Sequence, residues 1–287
     1  MKKFAVIVVL VGAMSAFAQR QQGGFGGGFG GGFGGGGGFN IPGLSSAKCL
    51  VPGTRRPWQM DDSAEPRDID RTGFVYARLR YNVLYNRRQG GDIPWHHDYP
   101  DGDTMLPDAL ERLTAVKTKP EAYQIVNVDS KELFKYPFVY LSEPGYLDLR
   151  EADVKNLREY LNRGGFIFVD DFRGHPGDEE ELENLIVQLR KIYPARELKP
   201  VPKTHQIFHT FFDIDPSNMQ PPYRMNGQSD PQFLGLSDDN DRLIVMVDYN
   251  NDLSEYWQAL DVGTCSISES SMAVQLGINY AVYAMTH

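Results

Sequence analysis

Two adjacent carboxylates, Asp170 and Asp171, directly follow the apolar run 166–169. Such a run predicts a strand buried on both faces, as in a parallel sheet. Carboxylates that leave a buried strand lose hydration, which disfavours their charged form unless a partner compensates. Arg173, His175, a bound cation or a hydroxyl-rich ligand could be that partner. Because neighbouring strand residues point to opposite faces, we expect only one of the two aspartates to face a pocket.

These two aspartates, together with His205, are the predicted catalytic groups. A carboxylate in this position could act as a general base in a hydrolytic step, with or without a metal ion. The alternative is structural: one aspartate caps the following turn and the other pairs with Arg173. His205 and His209 stand four apart, but no glutamate follows His205 directly, so a zinc-protease helix is not indicated.

Two further segments contribute predicted ligand-binding residues. Ser142-Glu143 ends the preceding predicted strand, and open parallel sheets bind ligands beyond the carboxyl ends of their strands. The segment 95–99 reads Trp-His-His-Asp-Tyr, and aromatic rings with polar tips suit sugar faces. Adjacent histidines make a poor metal pair, so a packed loop with Trp95 buried is favoured there over a metal site. The predicted ligand-binding set is Trp95, His97, Asp98, Glu143 and Arg173.

Periodicity predicts the elements that would hold these residues. Strands are predicted at 74–81, 123–128, 138–141 and 166–169, with a hairpin formed by 232–236 and 243–249. Helices are predicted from apolar positions within 106–116, 154–161, 182–192 and 272–283. Asp148 and Glu151 are spaced like a capping box, and Gly164-Gly165 would end that helix. Asn250-Asn251-Asp252 is interpreted as a turn rather than as a lip of the pocket.

The alternation of strands and helices predicts one α/β domain with a mostly parallel sheet and a right-handed βαβ unit. This domain is expected to occupy residues 72–287. Residues 19–71 are expected to form a disordered tail and linker, because residues 23–38 comprise 13 glycines and three phenylalanines. No predicted strand precedes this tract, so it is not a dinucleotide-binding loop, and a spacer is favoured over an adhesive tail.

The chain begins like an exported protein. Met1-Lys2-Lys3 precedes an apolar stretch and the segment Ala16-Phe17-Ala18, which together are typical of a secretory signal peptide spanning residues 1–18. The alternative is an uncleaved signal that anchors the chain, although the apolar stretch is shorter than the roughly 20 residues that span a bilayer. We therefore predict a secreted or periplasmic protein with no stable membrane span after cleavage. In that oxidising compartment Cys49 and Cys265 could form a disulfide, which the sequence leaves open.

Composition excludes several classes of protein. Lysine and arginine total 29 against 38 acidic residues, a net charge of −9, so no nucleic-acid partner is expected. Two cysteines are too few for a disulfide scaffold or a four-cysteine zinc site. No Gly-x-Ser-x-Gly elbow occurs and neither cysteine follows an apolar strand, so a serine or cysteine nucleophile is not indicated.

Several motifs resemble a bacterial family, the domain of unknown function 4159, over roughly residues 72–287. The motifs are Trp95, Asp98-Tyr99-Pro100, Tyr136-Pro137-Phe138, Leu161-x-x-Gly164-Gly165-Phe166, Asp170-Asp171-Phe172-x-Gly174, His205-x-Ile207-Phe208, Asn251-Asp252 and the segment 276–284. The helix, Gly-Gly and strand unit is more remotely similar to the class I glutamine amidotransferase-like fold, especially its trehalose-utilisation-type branch. That resemblance implies a flavodoxin-like three-layer sandwich with a ligand site at the strand tips.

The chain departs from this remote resemblance at two points. Asp170-Asp171-Phe172 stands where the amidotransferases have their nucleophilic cysteine, so glutaminase chemistry is not expected. Gln206 follows His205 where the trehalose-utilisation-type branch usually has proline.

The leading hypothesis is an exported α/β protein that binds a polar or carbohydrate-like ligand of the cell envelope. The pocket residues would be Glu143, Asp170, Asp171, Arg173 and His205. Hydrolysis is the expected reaction if the protein is an enzyme. The rival hypothesis is a non-catalytic scaffold or interaction module, tethered by the glycine-rich tail and contacting another envelope protein.

Overall fold

The computed structural model describes residues 44–45, 49, 69, 71–84, 93–174, 179–225, 227–261 and 263–287. The predicted signal peptide, the glycine-rich tract and His175 lie outside the described residues. Among the described residues, no helix combines the length and the apolar character that a membrane span requires.

A mostly parallel sheet forms the centre of the fold. Within the described residues its seven strands are β1 Tyr76–Arg80, β2 Tyr123–Asn127, β3 Phe138–Ser142, β4 Phe166–Asp170, β5 Lys199–Pro200, β6 Gln232–Ser237 and β7 Leu243–Tyr249. Their order across the sheet is β2-β1-β3-β4-β7-β6-β5. Pairing is parallel from β2 to β7, whereas β6 is antiparallel to both of its neighbours. The predicted hairpin is therefore β6 and β7, and the predicted βαβ unit joins β3 to β4.

Helices cover this sheet. The described ones are α1 Asp101–Leu113, α2 Glu151–Asn162, α3 Glu180–Ile192, α4 Leu253–Gln258 and α5 Ile267–Thr286. Single 3₁₀ turns occur at Pro94–His96, Lys131–Lys135, Pro144–Tyr146, Gln206–Phe208 and Pro216–Asn218. Two-residue ribbons pair Leu44–Ser45 with Arg224–Met225 and Asn82–Val83 with Leu147–Asp148.

Alternate side chains of β4 enter two separate cores. Phe168 packs against Trp257 of α4 and Tyr280 of α5, with ring centroids 6.2 and 4.9 Å away. Ile167 and Val169 belong to the other core, which also contains the apolar faces of α2 and α3. The apolar run 166–169 is thus buried on both faces, as predicted, and the fold is a three-layer α/β sandwich.

The predicted capping box of α2 is wrong in position. The helix begins at Glu151, and the carboxylate of Asp153 accepts a hydrogen bond of 2.8 Å from the backbone N–H of Arg150. Asp148 instead lies in a two-residue ribbon. Both pairs are three residues apart, so spacing alone could not choose between them, and arginine is not a residue type typical of an N-cap. Gly164, with a φ of 101°, ends the helix as predicted.

The order of the strands determines where a ligand could bind. From β1 the chain moves outward to β2 and then returns to the other side of β1 as β3, which is the switch found in flavodoxin-like sheets. The carboxyl ends of β1, β3, β4 and β7 consequently lie along one edge. We call this edge the carboxyl edge.

A disulfide joins Cys49 to Cys265 across a sequence separation of 216 residues. The backbone N–H of Cys49 also donates a hydrogen bond to the carbonyl of Pro222. The disulfide attaches Cys49 to the segment that immediately precedes α5.

Removal of this disulfide should destabilise the fold. Closing so long a loop constrains the unfolded chain, and disulfides typically contribute about 2–4 kcal/mol. We expect the free energy of unfolding of a Cys49→Ser, Cys265→Ser double variant to fall by about that amount in urea titrations. Intact mass after alkylation should show modified thiols only after reduction. Thiols that react without reduction, or an unchanged unfolding midpoint, would contradict this expectation.

Candidate functional site

Four residues at the carboxyl edge adopt left-handed backbone conformations although none is glycine. Glu143 follows β3, Asp171 follows β4 and Asn250 follows β7, with φ values of 50°, 58° and 61°. Asp98, at 60°, lies in the loop between β1 and α1. Among the described non-glycine residues, a positive φ occurs otherwise only at Asp241, in the turn between β6 and β7. This conformation costs a residue with a Cβ roughly 1–2 kcal/mol, less for aspartate and asparagine, and such strain concentrates at functional sites.

Three side chains from three loops meet at this edge. The Nδ1 atom of His97 lies 2.8 Å from Oδ2 of Asp171 and 3.4 Å from Oε1 of Glu143. The hydroxyl of Ser142 donates to the same Asp171 oxygen at 3.2 Å. The side chain of Asp171 is fully buried, whereas those of His97 and Glu143 are 23% and 14% exposed. The cluster is therefore closed behind Asp171 and open to solvent beside His97. We call His97, Glu143 and Asp171 the imidazole–carboxylate cluster.

Arg173 places a cation beside this cluster. Its Nη2 atom lies 3.2 Å from Oδ2 of Asp252 and 3.5 Å from Oδ1 of Asp171. Its guanidinium lies over the ring of Tyr223, 4.5 Å from the centroid. The backbone N–H of Arg173 donates to Glu181 of α3. These contacts hold the guanidinium in one place.

Asp170 has different partners from Asp171. Its carboxylate accepts hydrogen bonds from the backbone N–H groups of Leu253 and Ser254, at 2.9 and 3.1 Å, and from the hydroxyl of Tyr140 at 3.4 Å. It is completely buried. Asp170 thus binds the first turn of α4 to the end of β4, while Asp171 faces the imidazole–carboxylate cluster.

Asp98 and Asp252 lie beside the cluster in a hydrogen-bonded network. Gln258 donates to Oδ1 of Asp98 at 2.6 Å, and the backbone N–H of Glu255 donates to Oδ1 of Asp252 at 2.8 Å. The Ser254 hydroxyl lies 2.6 Å from Oδ2 of Asp98 and 3.1 Å from Oδ1 of Asp252, and it can donate to one of them at a time. The segment 250–252, interpreted from its sequence as a turn, therefore contributes to the site. Its three polar residues directly after a strand are the sequence feature that could have indicated this.

Several polar atoms at this edge are buried without a hydrogen bond. Among the described residues they include Oδ1 of Asp171, Nε of Arg173 and both side-chain amide atoms of Asn251. Asn251 pairs with Phe172, the residue between the other two. Buried polar atoms without partners are uncommon in native folds, so their concentration here sets this edge apart.

Of the other predicted site residues, Trp95 is buried in the core. It is 2% exposed, and its carbonyl accepts a hydrogen bond from Arg78 at 3.1 Å. The loop packs as expected, and the indole ring does not face solvent.

His205 lies away from the carboxyl edge. Its Nδ1 atom accepts the backbone N–H of Ile207, and its ring lies 5.9 Å from that of Tyr283. The hydroxyl of Tyr283 accepts the N–H of Leu243, the first residue of β7. Strand β7 is about 20 Å long, and the imidazole–carboxylate cluster lies near its other end. The structure therefore does not bring His205 to the cluster.

Burial changes the acidity of the carboxylates at this edge. Loss of hydration, with repulsion from Asp252, raises the pKa of Asp171 to about 7. Loss of hydration and the neighbouring Asp171 raise the pKa of Glu143 well above its usual range. The pKa of Asp170 is likewise raised by burial and then by Asp252 and Asp248. The site therefore holds more buried carboxylates than its cations neutralise.

This excess should make stability depend on pH. The unfolded chain releases the Asp171 proton near its ordinary pKa of about 3.9, but the folded protein retains it to a pKa of about 7. The resulting stabilisation is complete below about pH 4 and is lost as the pH rises to about 7, by up to about 1.4 kcal/mol per unit. Urea unfolding across this range in metal-free buffer measures it. Asp171→Asn should flatten the dependence, and an unchanged slope would show that another group titrates.

The comparison with known proteins agrees with the motifs at this edge. The family described as a domain of unknown function, DUF4159, matches residues 75–285. This span runs from the start of the sheet to the last turn of α5 and includes every residue of the imidazole–carboxylate cluster. No curated protein matches the chain at a significant level. The chain belongs to the DUF4159 family.

Proposed function

We propose that this protein is an exported domain that binds a polar, hydroxyl-rich ligand at the carboxyl edge. The observation that carries the proposal is the left-handed backbone of Asp98, Glu143, Asp171 and Asn250. Glycine adopts this conformation without strain, and aspartate and asparagine tolerate it better than other residues, so Glu143 is the position that backbone stability explains least. Polar side chains occupy all four positions, next to the cluster that opens to solvent.

The chemistry of the edge favours a neutral ligand with many hydroxyl groups. Carboxylates such as Glu143 and Asp171 accept hydrogen bonds from hydroxyls, and the guanidinium of Arg173 donates them. An anionic ligand would make the ionisation of these carboxylates still more costly, so the excess of acid disfavours it. Neutral oligosaccharides have these properties.

A hydrolytic reaction is the extension of this proposal. A carboxylate with a pKa near 7, such as Asp171, has suitable basicity for a general base at neutral pH. His97, 2.8 Å from it, could take part in moving the proton. The rival role is a scaffold without a ligand. In that role the protein would bind no small molecule at these side chains.

Ligand-induced changes in melting temperature separate the two roles. Neutral oligosaccharides from the envelope should raise the melting temperature of the wild type, because a ligand at 100 times its Kd adds about 2.7 kcal/mol of stability. Asp171→Ala should not respond, since it removes the carboxylate at the centre of the cluster. Equal responses in both proteins would place the ligand elsewhere, and no response in the wild type to any sugar would favour the scaffold.

Two glycine variants control for misfolding in this experiment. Glu143→Gly removes a strained backbone and a poorly hydrated carboxylate, so its melting temperature should equal or exceed that of the wild type while its ligand response is lost. Asp241→Gly relieves the same backbone conformation in an exposed turn and should keep the response. If both variants lose the ligand response, the loss results from the change in backbone conformation and not from removal of a side chain at the site.

Export is the second part of the proposal. A signal peptide cleaved after Ala18 would give a mature protein that begins at Gln19. N-terminal sequencing of the protein from the envelope fraction measures this directly. A sequence that begins at Met1 would instead favour the uncleaved membrane anchor.

A further inference from the structure

The imidazole–carboxylate cluster has the spacing of a metal site. Each of its three residues offers one ligand atom, and these atoms all lie within 4.8 Å of one another. Ligands about 2.1 Å from a tetrahedral or octahedral ion lie roughly 3–3.5 Å apart. The distances from Nδ1 of His97, 2.8 Å to Asp171 and 3.4 Å to Glu143, are close to that spacing. A cation could therefore take the place of the proton between His97 and Asp171 with little movement.

We propose that His97, Glu143 and Asp171 bind one divalent transition-metal ion of the Zn²⁺ or Mn²⁺ type. This inference rests on the proposed binding site and specifies how that site would engage its ligand. One imidazole nitrogen with two carboxylate oxygens suits such ions, whereas Ca²⁺ and Mg²⁺ favour oxygen ligands alone. Three protein ligands leave a coordination position for water or a ligand hydroxyl. The partial exposure of His97 and Glu143 puts that position on the solvent side.

A separate observation on Asp171 supports a cation here. Its Oδ1 atom is buried and accepts no hydrogen bond from the described residues. The guanidinium of Arg173 is 3.5 Å away, close enough for an ion pair but without a hydrogen bond. A buried carboxylate oxygen left in this state is destabilising, because nothing replaces its lost hydration. An ion that binds Asp171 through both oxygens would pair Oδ1 as well as Oδ2, the oxygen next to His97.

A second set of carboxylates, Asp98, Asp171 and Asp252, also lies within 4.8 Å. Its oxygens already have partners, because Asp98 accepts from Gln258 and Asp252 accepts from Arg173 and from the N–H of Glu255. An ion at this second set would have to displace those donors. At the first set an ion would replace protons on the imidazole and the carboxylates, and the Ser142 hydroxyl could turn away from Asp171. We therefore place a single ion there.

Calorimetric titration of the full-length protein, first treated with chelator and then titrated with ZnCl₂ or MnCl₂, tests the assignment. We expect one ion per chain in the wild type. His97→Ala and the isosteric variant Glu143→Gln should each weaken binding at least tenfold, since each removes a ligand. Asp98→Asn should weaken binding less than either of these variants, since it removes a neighbouring charge but no ligand of the proposed ion. Absence of binding, or wild-type affinity in both His97→Ala and Glu143→Gln, would overturn the proposal, and a loss confined to Asp98→Asn would move the ion to the second set.

The exposed pair His209 and Asp213, 2.6 Å apart, provides a matched control for surface binding of zinc. His209→Ala should leave the stoichiometry and the affinity unchanged. A titration signal that disappears in His209→Ala but persists in His97→Ala would overturn the assignment. Melting curves of all variants establish that each is folded.

The same proteins distinguish failure of the metal site from failure of the proposed function. Melting shifts with oligosaccharide are measured with added metal and with chelator. Specific metal binding without any ligand response would support the metal site and reject the proposed function. A ligand response that persists in chelator, in a protein that binds no metal, would reject the metal site alone. A response that requires metal is the expected result.

Discussion

The burial of carboxylates at the carboxyl edge is the constraint on which the surrounding structure depends. Asp98, Asp170, Asp171 and Asp252 are almost completely excluded from water. A buried charge is costly unless hydrogen bonds or an opposite charge compensate it. The first turn of α4 supplies N–H groups to Asp170 and Asp252, and Arg173 lies between Asp171 and Asp252. This requirement is met by the position of α4 and by the fixed guanidinium of Arg173. It is also met by the pairing of Phe172, after β4, with Asn251, after β7, which keeps the two strand ends together.

The loop that carries His97 is held by a second buried charge pair. Arg78 of β1 is fully buried and binds both carboxylate oxygens of Asp103 in α1, with the shortest distance 2.6 Å. It also donates to the carbonyl of Trp95, and its guanidinium lies 4.7 Å from the ring centroid of Tyr140. Loss of either partner would leave an unpaired buried charge, so this pair holds the described residues 93–100, which carry His97, beside β1 and α1. The position of His97 is thus fixed by residues that do not belong to the cluster.

Local patterns predicted the elements better than the site. Apolar periodicity depends on neighbours in sequence, so the longer strands, the hairpin and four of the five described helices could be located without coordinates. The six-residue helix α4 and the two-residue strand β5 are too short to show a period, and neither is predicted. The approach of His97 to Asp171 joins positions 74 residues apart and follows from strand order, which spacing does not determine. The three polar residues at 250–252 suit an exposed turn as well as the lining of a site, so their composition does not distinguish the two. His205 was included on the strength of a motif, and the fold places that motif near the opposite edge.

Backbone sterics at the strand ends explain why the acids meet. Side chains alternate along β4, with Phe168 and Asp170 on the side of α4 and α5, so a continued strand would turn Asp171 toward α2 and α3. The left-handed residue interrupts that alternation, and the carboxylate of Asp171 instead meets His97 and Ser142. Glu143 has the same conformation after β3. Because the conformation is strained at a residue with a Cβ, it persists only where the rest of the fold holds it. The rigid pairing of β3, β4 and β7 is what holds these acids against both their strain and their mutual repulsion.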